Sequence, residues 1–298
     1  IVIDPLNDLL ALVIDLLSSN KIYEANKILN SWLEITGDYK SLAFFKVYSV
    51  YRALVRAKVD LLKYCHSEHY IEKHSIKQKI TLQNNYRRNI SLAEKIKNKK
   101  PAPIILMYGL SGSGKTFYSK KLCSKYFGLR ISSDVERKRI FYNSNRILNE
   151  SKSYLAEDSD EMAMYSEEIT NILFTVHIPE MVNLALGCNL IIVIDATYLR
   201  KAERKIILDM ANDNKRKVFI IKCECSDKVA KERIANRRND KSEESDADFN
   251  VRIKQKDWME PLDSLEEKSL LEINGNNSFE DMTSKLDKLI LSKEENII

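Results

Sequence analysis

The chain has 298 residues, 44% apolar and 31% charged, with a net charge of +5, which fits a globular protein of about two domains and excludes disordered and collagenous classes. Its longest uninterrupted aliphatic stretch, 190–194, falls far short of the ~20 apolar residues of a spanning helix, so no membrane partner is expected. Five cysteines without paired spacing, and an N-terminus with Asp4 and no basic segment, read as a reduced, cytoplasmic protein.

Residues 1–65 read as helices. Asp4 before Pro5 is an N-cap and N1 pair, and Leu9, Leu10, Leu12, Val13, Leu16 and Leu17 recur at helical spacing. A second helix is expected at about 22–35 with Gly37 as its stop, and a third at about 39–64. Taken alone, these helices would pack on themselves as a small bundle. Residues 66–102 read as a basic helical linker: between Lys63 and Lys100 there are ten Lys or Arg and three Asp or Glu. Such a stripe either tracks phosphates or is the solvated side of a connecting helix, the plainer reading. Cys65, His66, His69 and His74 have a spacing compatible with one helical face, but no second half of a zinc site follows.

Pro101 and Pro103 mark a boundary, and from residue 103 to 298 aliphatic runs alternate with helical stretches. Strands are expected at 104–108, 129–132, 190–195, 218–223 and 270–273. Helices are expected near 115–126, 134–142, 160–187, 200–214, 226–238 and 278–292. The alternation predicts an α/β fold, a parallel sheet with helices on both faces, preceded by a small all-helical segment.

Gly109, Leu110, Ser111, Gly112, Ser113, Gly114, Lys115 and Thr116 match G-x-x-x-x-G-K-[ST] in full, directly after the first expected strand. Three of the chain's seven glycines fall here, where backbone N–H groups must wrap inward around a polyphosphate. Lys115 supplies a charge to the β and γ phosphates, and the Thr116 hydroxyl is a ligand for Mg²⁺. The glycine spacing is not the G-x-G-x-x-G of a dinucleotide fold, so the expected fold is of the P-loop NTPase type and the expected nucleotide is ATP.

The second strand leads into Ser133-Asp134-Val135-Glu136-Arg137, which contains D-x-x-R. At the carboxyl end of a parallel strand, Asp134 would face the γ phosphate and could take a proton from an attacking hydroxyl, with Arg137 one turn on to hold an acceptor. The plainer alternative is an N-cap and a solvated arginine. The third strand ends at Asp195, the place from which a Mg²⁺-facing carboxylate is delivered. Arg233 and Arg237 lie four residues apart on a helix, and the polar stretch 239–248 after them reads as a lid that would close both guanidinium groups over the nucleotide.

These landmarks resemble the AAA-type P-loop kinases that form the C-terminal half of bacterial two-domain proteins, behind an aminoglycoside-phosphotransferase-like half. The matching residues are Gly109 to Thr116, Ser133 to Arg139, Val193 to Arg200, Arg233 with Arg237, and Ser245-Asp246-Ala247-Asp248 ahead of Gln255. More distantly the segment is similar to polynucleotide 5′-kinases and zeta-type toxin kinases, a resemblance that makes Asp134 the base, Arg137 the acceptor-orienting residue, and Arg233 and Arg237 lid arginines. The helical part resembles the tail of the phosphotransferase-like half through Ile3-Asp4-Pro5, Ala25-Asn26, Leu33-Glu34, Thr36-Gly37-Asp38-Tyr39 and the run from Tyr51 to Val59. The catalytic aspartates of that half have no counterpart here, so the chain is expected to be a fragment or a natural remnant. The expected activity is ATP- and Mg²⁺-dependent transfer of a γ-phosphoryl group to the hydroxyl of a small molecule. An ATP-operated switch without an acceptor, a polynucleotide 5′-hydroxyl kinase and a non-enzymatic interaction module are the alternatives.

Overall fold

The computed structural model describes residues 3–69, 76–148, 164–237, 249–273 and 278–290. Five strands, β1 (Ile104–Tyr108), β2 (Leu129–Ser132), β3 (Ile192–Asp195), β4 (Val218–Cys223) and β5 (Leu270–Ile273), form one parallel sheet in the order β2-β3-β1-β4-β5. Every residue of β1, β2 and β3 is buried, as the aliphatic sequences require of strands covered on both faces. This is the α/β P-loop sheet, with a helical segment ahead of it. β3 is two residues shorter than expected because Leu190 and Ile191 approach as loop, with the Ile191 carbonyl accepting from Leu129 N–H.

Side chains alternate across the sheet. Ile105, Met107, Val193, Phe219 and Ile221 point to one face, against α5 (Lys115–Tyr126) and the C-terminal helix (Phe279–Ile290). Ile104, Leu106, Leu129, Ile131, Ile192 and Ile194 point to the other. There they share one apolar cluster with α1 (Pro5–Ser18) and α2 (Ile22–Thr36), through Leu6, Leu10, Val13, Leu29 and Leu33. The N-terminal helices therefore bury their apolar stripe against the sheet as well as against one another.

Their ends are fixed as the sequence predicts. The Asp4 carboxylate accepts from Leu6 N–H at 2.9 Å with Pro5 at the first turn, and Gly37 closes α2 at φ 65° with its N–H donating to Leu33 O. The expected third helix begins as a 3₁₀ turn, Lys40–Phe44, before α3 (Phe45–His69). α3 packs against α4 (Ile76–Asn98), which carries most of the basic stripe and buries Asn89, Leu92, Ala93 and Ile96. His74 and the side chains of His66 and His69 lie outside the described residues; Cys65 is exposed and in no disulfide.

α6 (Ser133–Leu148) follows β2. The next helix begins as α7 (Glu167–Ile172), passes through a π turn at Leu173–His177 and continues as α8 (Ile178–Leu186). Pro179 has no N–H to give the preceding turn, a sufficient cause for the widened register. By length and composition Glu167–Leu186 would suffice to cross a bilayer. Polar residues interrupt its aliphatic sequence, and its Leu173, Ile178, Val182 and Ala185 are fully buried in the sheet-facing core. α9 (Lys201–Asp213) and α10 (Asp227–Arg237) were anticipated, whereas α11 (Phe249–Trp258) was not. The C-terminal helix is α12.

Candidate active site

The loop from Gly109 to Gly114 joins β1 to α5. At Gly109 φ is 140°, and a Cβ would sit 2.4 Å from the Cys223 carbonyl oxygen of the neighbouring strand. Gly112 and Gly114 have φ of 79° and 96°, left-handed conformations that turn successive N–H groups to one side. Gly114 caps α5 without a side-chain hydrogen bond, so the helix's first N–H groups and its positive dipole end are left to an anion. The Ser113 hydroxyl in the same loop is buried without a partner among the described residues. Lys115 is 8% exposed and spans the loop, its Nζ donating to Leu110 O at 2.9 Å.

α11 holds this loop from outside. Gln255 Oε1 accepts from Ser111 N–H at 2.7 Å, and Arg252 Nη1 donates to Ser111 O at 2.6 Å. Arg252 also reaches Cys225 O and the Asp227 carboxylate, tying the end of β4 and the start of α10 to the same helix.

One cavity of about 440 Å³ opens beside the loop. Ser111, Gly112, Gly114, Lys115 and Thr116 line one side, Asp134 and Arg137 of α6 another, and Asp195 with the turn after β3 a third. The structure thus brings together the sequence-expected Lys115, Thr116, Asp134, Arg137 and Asp195. Arg233 is exposed beside the loop, its Nη1 3.4 Å from Gly112 O. Arg237 ends α10; its side chain and the expected lid 239–248 lie outside the described residues.

Arg137 is 6% exposed, donating to the Thr170 hydroxyl at 2.8 Å and lying 4.9 Å from the centre of the Tyr165 ring. Its Nε is buried without a partner among the described residues, and burial pulls the guanidinium below its ordinary pKa, against the support of Asp134. Glu203, at the start of α9, also lines the cavity; burial raises its pKa, opposed by Arg200, Arg204 and Arg137. Glu203, Tyr165, Thr170, Lys254 and Trp258 had not been anticipated. The nearest signal for Glu203 was its place three residues beyond Arg200, one turn into the helix after β3.

Asp195 is 5% exposed, and its Oδ2 accepts from Arg130 and from the Ser119 hydroxyl. Among the described residues no group of three or more His, Cys, Asp or Glu could hold a metal by itself. Thr116, Asp195 and Asp134 instead give one cavity a hydroxyl and two carboxylates, hard oxygen donors of the kind that hold Mg²⁺ alongside substrate phosphates.

Residues 104–262, more than half of the chain, match the family model described as an AAA domain, AAA_33. The chain belongs to that family. The AAA domain so defined runs from β1 through α11 and contains every cavity residue named above. No curated protein matches the chain. Solved structures similar to it include a gluconokinase from Sinorhizobium meliloti, at 16% identity over 64% of this chain and 94% of that one, with a TM-score of 0.38. Kti12 from Chaetomium thermophilum, in complex with ADP-AlF3, is similar at 17% identity over 64% and 100%, TM-score 0.44. The Mycobacterium tuberculosis APS kinase CysC is similar at 12% over 64% and 98%, TM-score 0.37.

Proposed function

We propose that the protein is a cytoplasmic ATP-dependent kinase that transfers the γ-phosphoryl group to a hydroxyl of a small anionic acceptor. The observation that supports this reading best is that a single cavity has the glycine loop on one side and the Asp134–Arg137 pair on another. The loop amides, the start of α5, the buried Ser113 hydroxyl and Lys115 would take the triphosphate; Thr116 and Asp195 would hold Mg²⁺, which neutralises phosphate charge when bound. The acceptor oxygen attacks the γ-phosphorus, its proton passes to the Asp134 carboxylate, the bond to the bridging oxygen breaks and ADP leaves. Arg137, buried and with a spare N–H, orients an anionic group on the acceptor. Arg233 and Arg237 are assigned to charge stabilisation from α10, and the helices before residue 66 are read as the tail of a phosphotransferase-like half.

Among the described residues α4, which carries most of the basic stripe, contributes none to the cavity lining, so the small-molecule reading is kept over a polynucleotide one. The test is incubation with γ-labelled ATP and a metabolite extract. Asp134→Asn should lose labelled product while still binding nucleotide; unchanged product would remove the base assignment. ATP turnover with no labelled acceptor and no effect of that substitution would mark an ATPase, and labelled oligonucleotide 5′ ends a polynucleotide kinase.

A further inference from the structure

Three polar residues of α2, Asn26, Asn30 and Glu34, are spaced four apart and so share one helical face. All three grip β2, the edge strand beside β3, or Gly128 just before it. The Asn26 and Asn30 amides donate to Gly128 O at 2.8 and 3.0 Å, and Asn30 Oδ1 accepts from Arg130 N–H at 2.7 Å. Glu34 Oε1 accepts from Arg130 Nη1 at 2.6 Å.

The guanidinium held by Glu34 is the one that holds Asp195. Arg130 is 1% exposed; its Nη2 and Nε meet Asp195 Oδ2 at 2.5 and 3.1 Å. The planar fork gives one edge to Asp195 and the remaining nitrogen to Glu34, so the two carboxylates fix one orientation between them. Oδ2 of Asp195 is taken by Arg130 and Ser119, and the same residue lines the cavity. With Glu34 ionised, one buried cation serves two anions and the cluster keeps a net negative charge. With Glu34 neutral, the full field of Arg130 falls on Asp195, at low local dielectric.

We propose that Glu34 is a positioning residue for the nucleotide site: acting through Arg130, it fixes the orientation of the Asp195 carboxylate and the field in which it sits, so that α2, outside the AAA domain, tunes how tightly the site holds a divalent cation with the triphosphate. The inference rests on the reading of Asp195 as a Mg²⁺-facing carboxylate. Glu34→Gln in the whole chain keeps the size and an acceptor oxygen, and Glu34 is partly exposed, with 23% of its side chain accessible.

The measurement is binding of a fluorescent ATP analogue, titrated with Mg²⁺ and repeated in EDTA. Glu34→Gln should raise the Mg²⁺ concentration for half-maximal binding about fivefold, a factor typical of coupling between linked sites, leaving the EDTA affinity and the melting temperature close to wild type. Arg130→Lys, which keeps the charge and loses the fork, should also move the Mg²⁺ midpoint, and adding Glu34→Gln to it should change little more. Lys205→Gln, at the exposed pair with Asp209, should leave the Mg²⁺ midpoint unmoved. An unchanged Mg²⁺ midpoint in Glu34→Gln, or a fall in EDTA affinity and melting temperature of the same relative size, overturns the proposal. Wild-type protein that binds no analogue with Mg²⁺ would instead sink the functional reading on which it stands, before any variant is compared.

Discussion

At the scale of single residues, the cavity holds a lysine turned onto a loop carbonyl and a glutamate whose pKa burial raises. Lys115 spans the loop with its ammonium on Leu110 O, so Lys115→Ala removes a cation from the cavity without emptying an apolar core; nucleotide affinity should fall at least about tenfold, checked by titration of the ATP analogue. Glu203 has a folded-state pKa raised above the ordinary 4.5, first by burial. A raised carboxyl binds its proton more tightly in the folded state, so its contribution is fully present below pH 4.5 and is lost as pH rises through the folded value. Glu203→Gln should therefore melt like wild type at low pH and increasingly above it as pH rises, and a melting difference constant with pH would refute the assignment. The cysteines divide by burial: Cys123 and Cys188 are buried with raised pKa values, Cys223 is pushed up to about 12, Cys225 is half-buried and Cys65 exposed. A thiol reagent on native protein should react first at Cys65 and then at Cys225, whose Sγ donates to Gly112 O in the glycine loop, with nucleotide slowing only the second.

Among the elements, the glycine loop shows why one substitution can undo a site without touching its charges. A Cβ at Gly109 would meet a backbone oxygen that cannot swing away, at a φ that side chains rarely adopt; Gly109→Ala should cost about 2 kcal/mol or more and separate β1 from β4 locally, read as a lowered denaturation midpoint together with lost nucleotide binding. That loop, its flanking strand and the carboxylate ending β3 were legible in the sequence because each has a local signature: a glycine pattern, an aliphatic run, a strand-ending Asp. α11 was not, because the residues it buries are Arg252 and Gln255, and apolar periodicity finds no helix whose inward face is polar. The same limit hid the α2 contact with β2. Leu29 and Leu33 announce the helix, but nothing local tells that Asn26, Asn30 and Glu34 spend their polar groups on a strand about a hundred residues away. The expected lid at 239–248 lies outside the described residues, and the π turn at Leu173–His177 has its cause in Pro179, a residue that apolar periodicity passes over.

For the molecule as a whole, changes of composition and limits of packing do not coincide. Charge and proline divide the chain near residues 65 and 102, yet one apolar cluster runs from Leu6 and Leu10 through Leu29 and Leu33 to Leu129, Ile131 and Ile194. Surface buried in common is lost in common, since exposing either partner leaves the other's apolar face in water. Leu33 is fully buried in this cluster, and Leu33→Ala removes about 3 kcal/mol of packing and transfer free energy, enough to lower the melting temperature by roughly 5 to 10 °C in a chain of this size. If the helices and the sheet unfold as one unit, loss of helical ellipticity and release of the bound ATP analogue move together by that amount, although Leu33 lies outside the family-matched residues. Two transitions, with the mutation shifting only the one that leaves the analogue bound, would mean that α1 and α2 fold apart from the sheet. In that case the Glu34–Arg130–Asp195 chain would couple two bodies rather than brace one, and the Mg²⁺ dependence of the site would change at the temperature at which the helices leave.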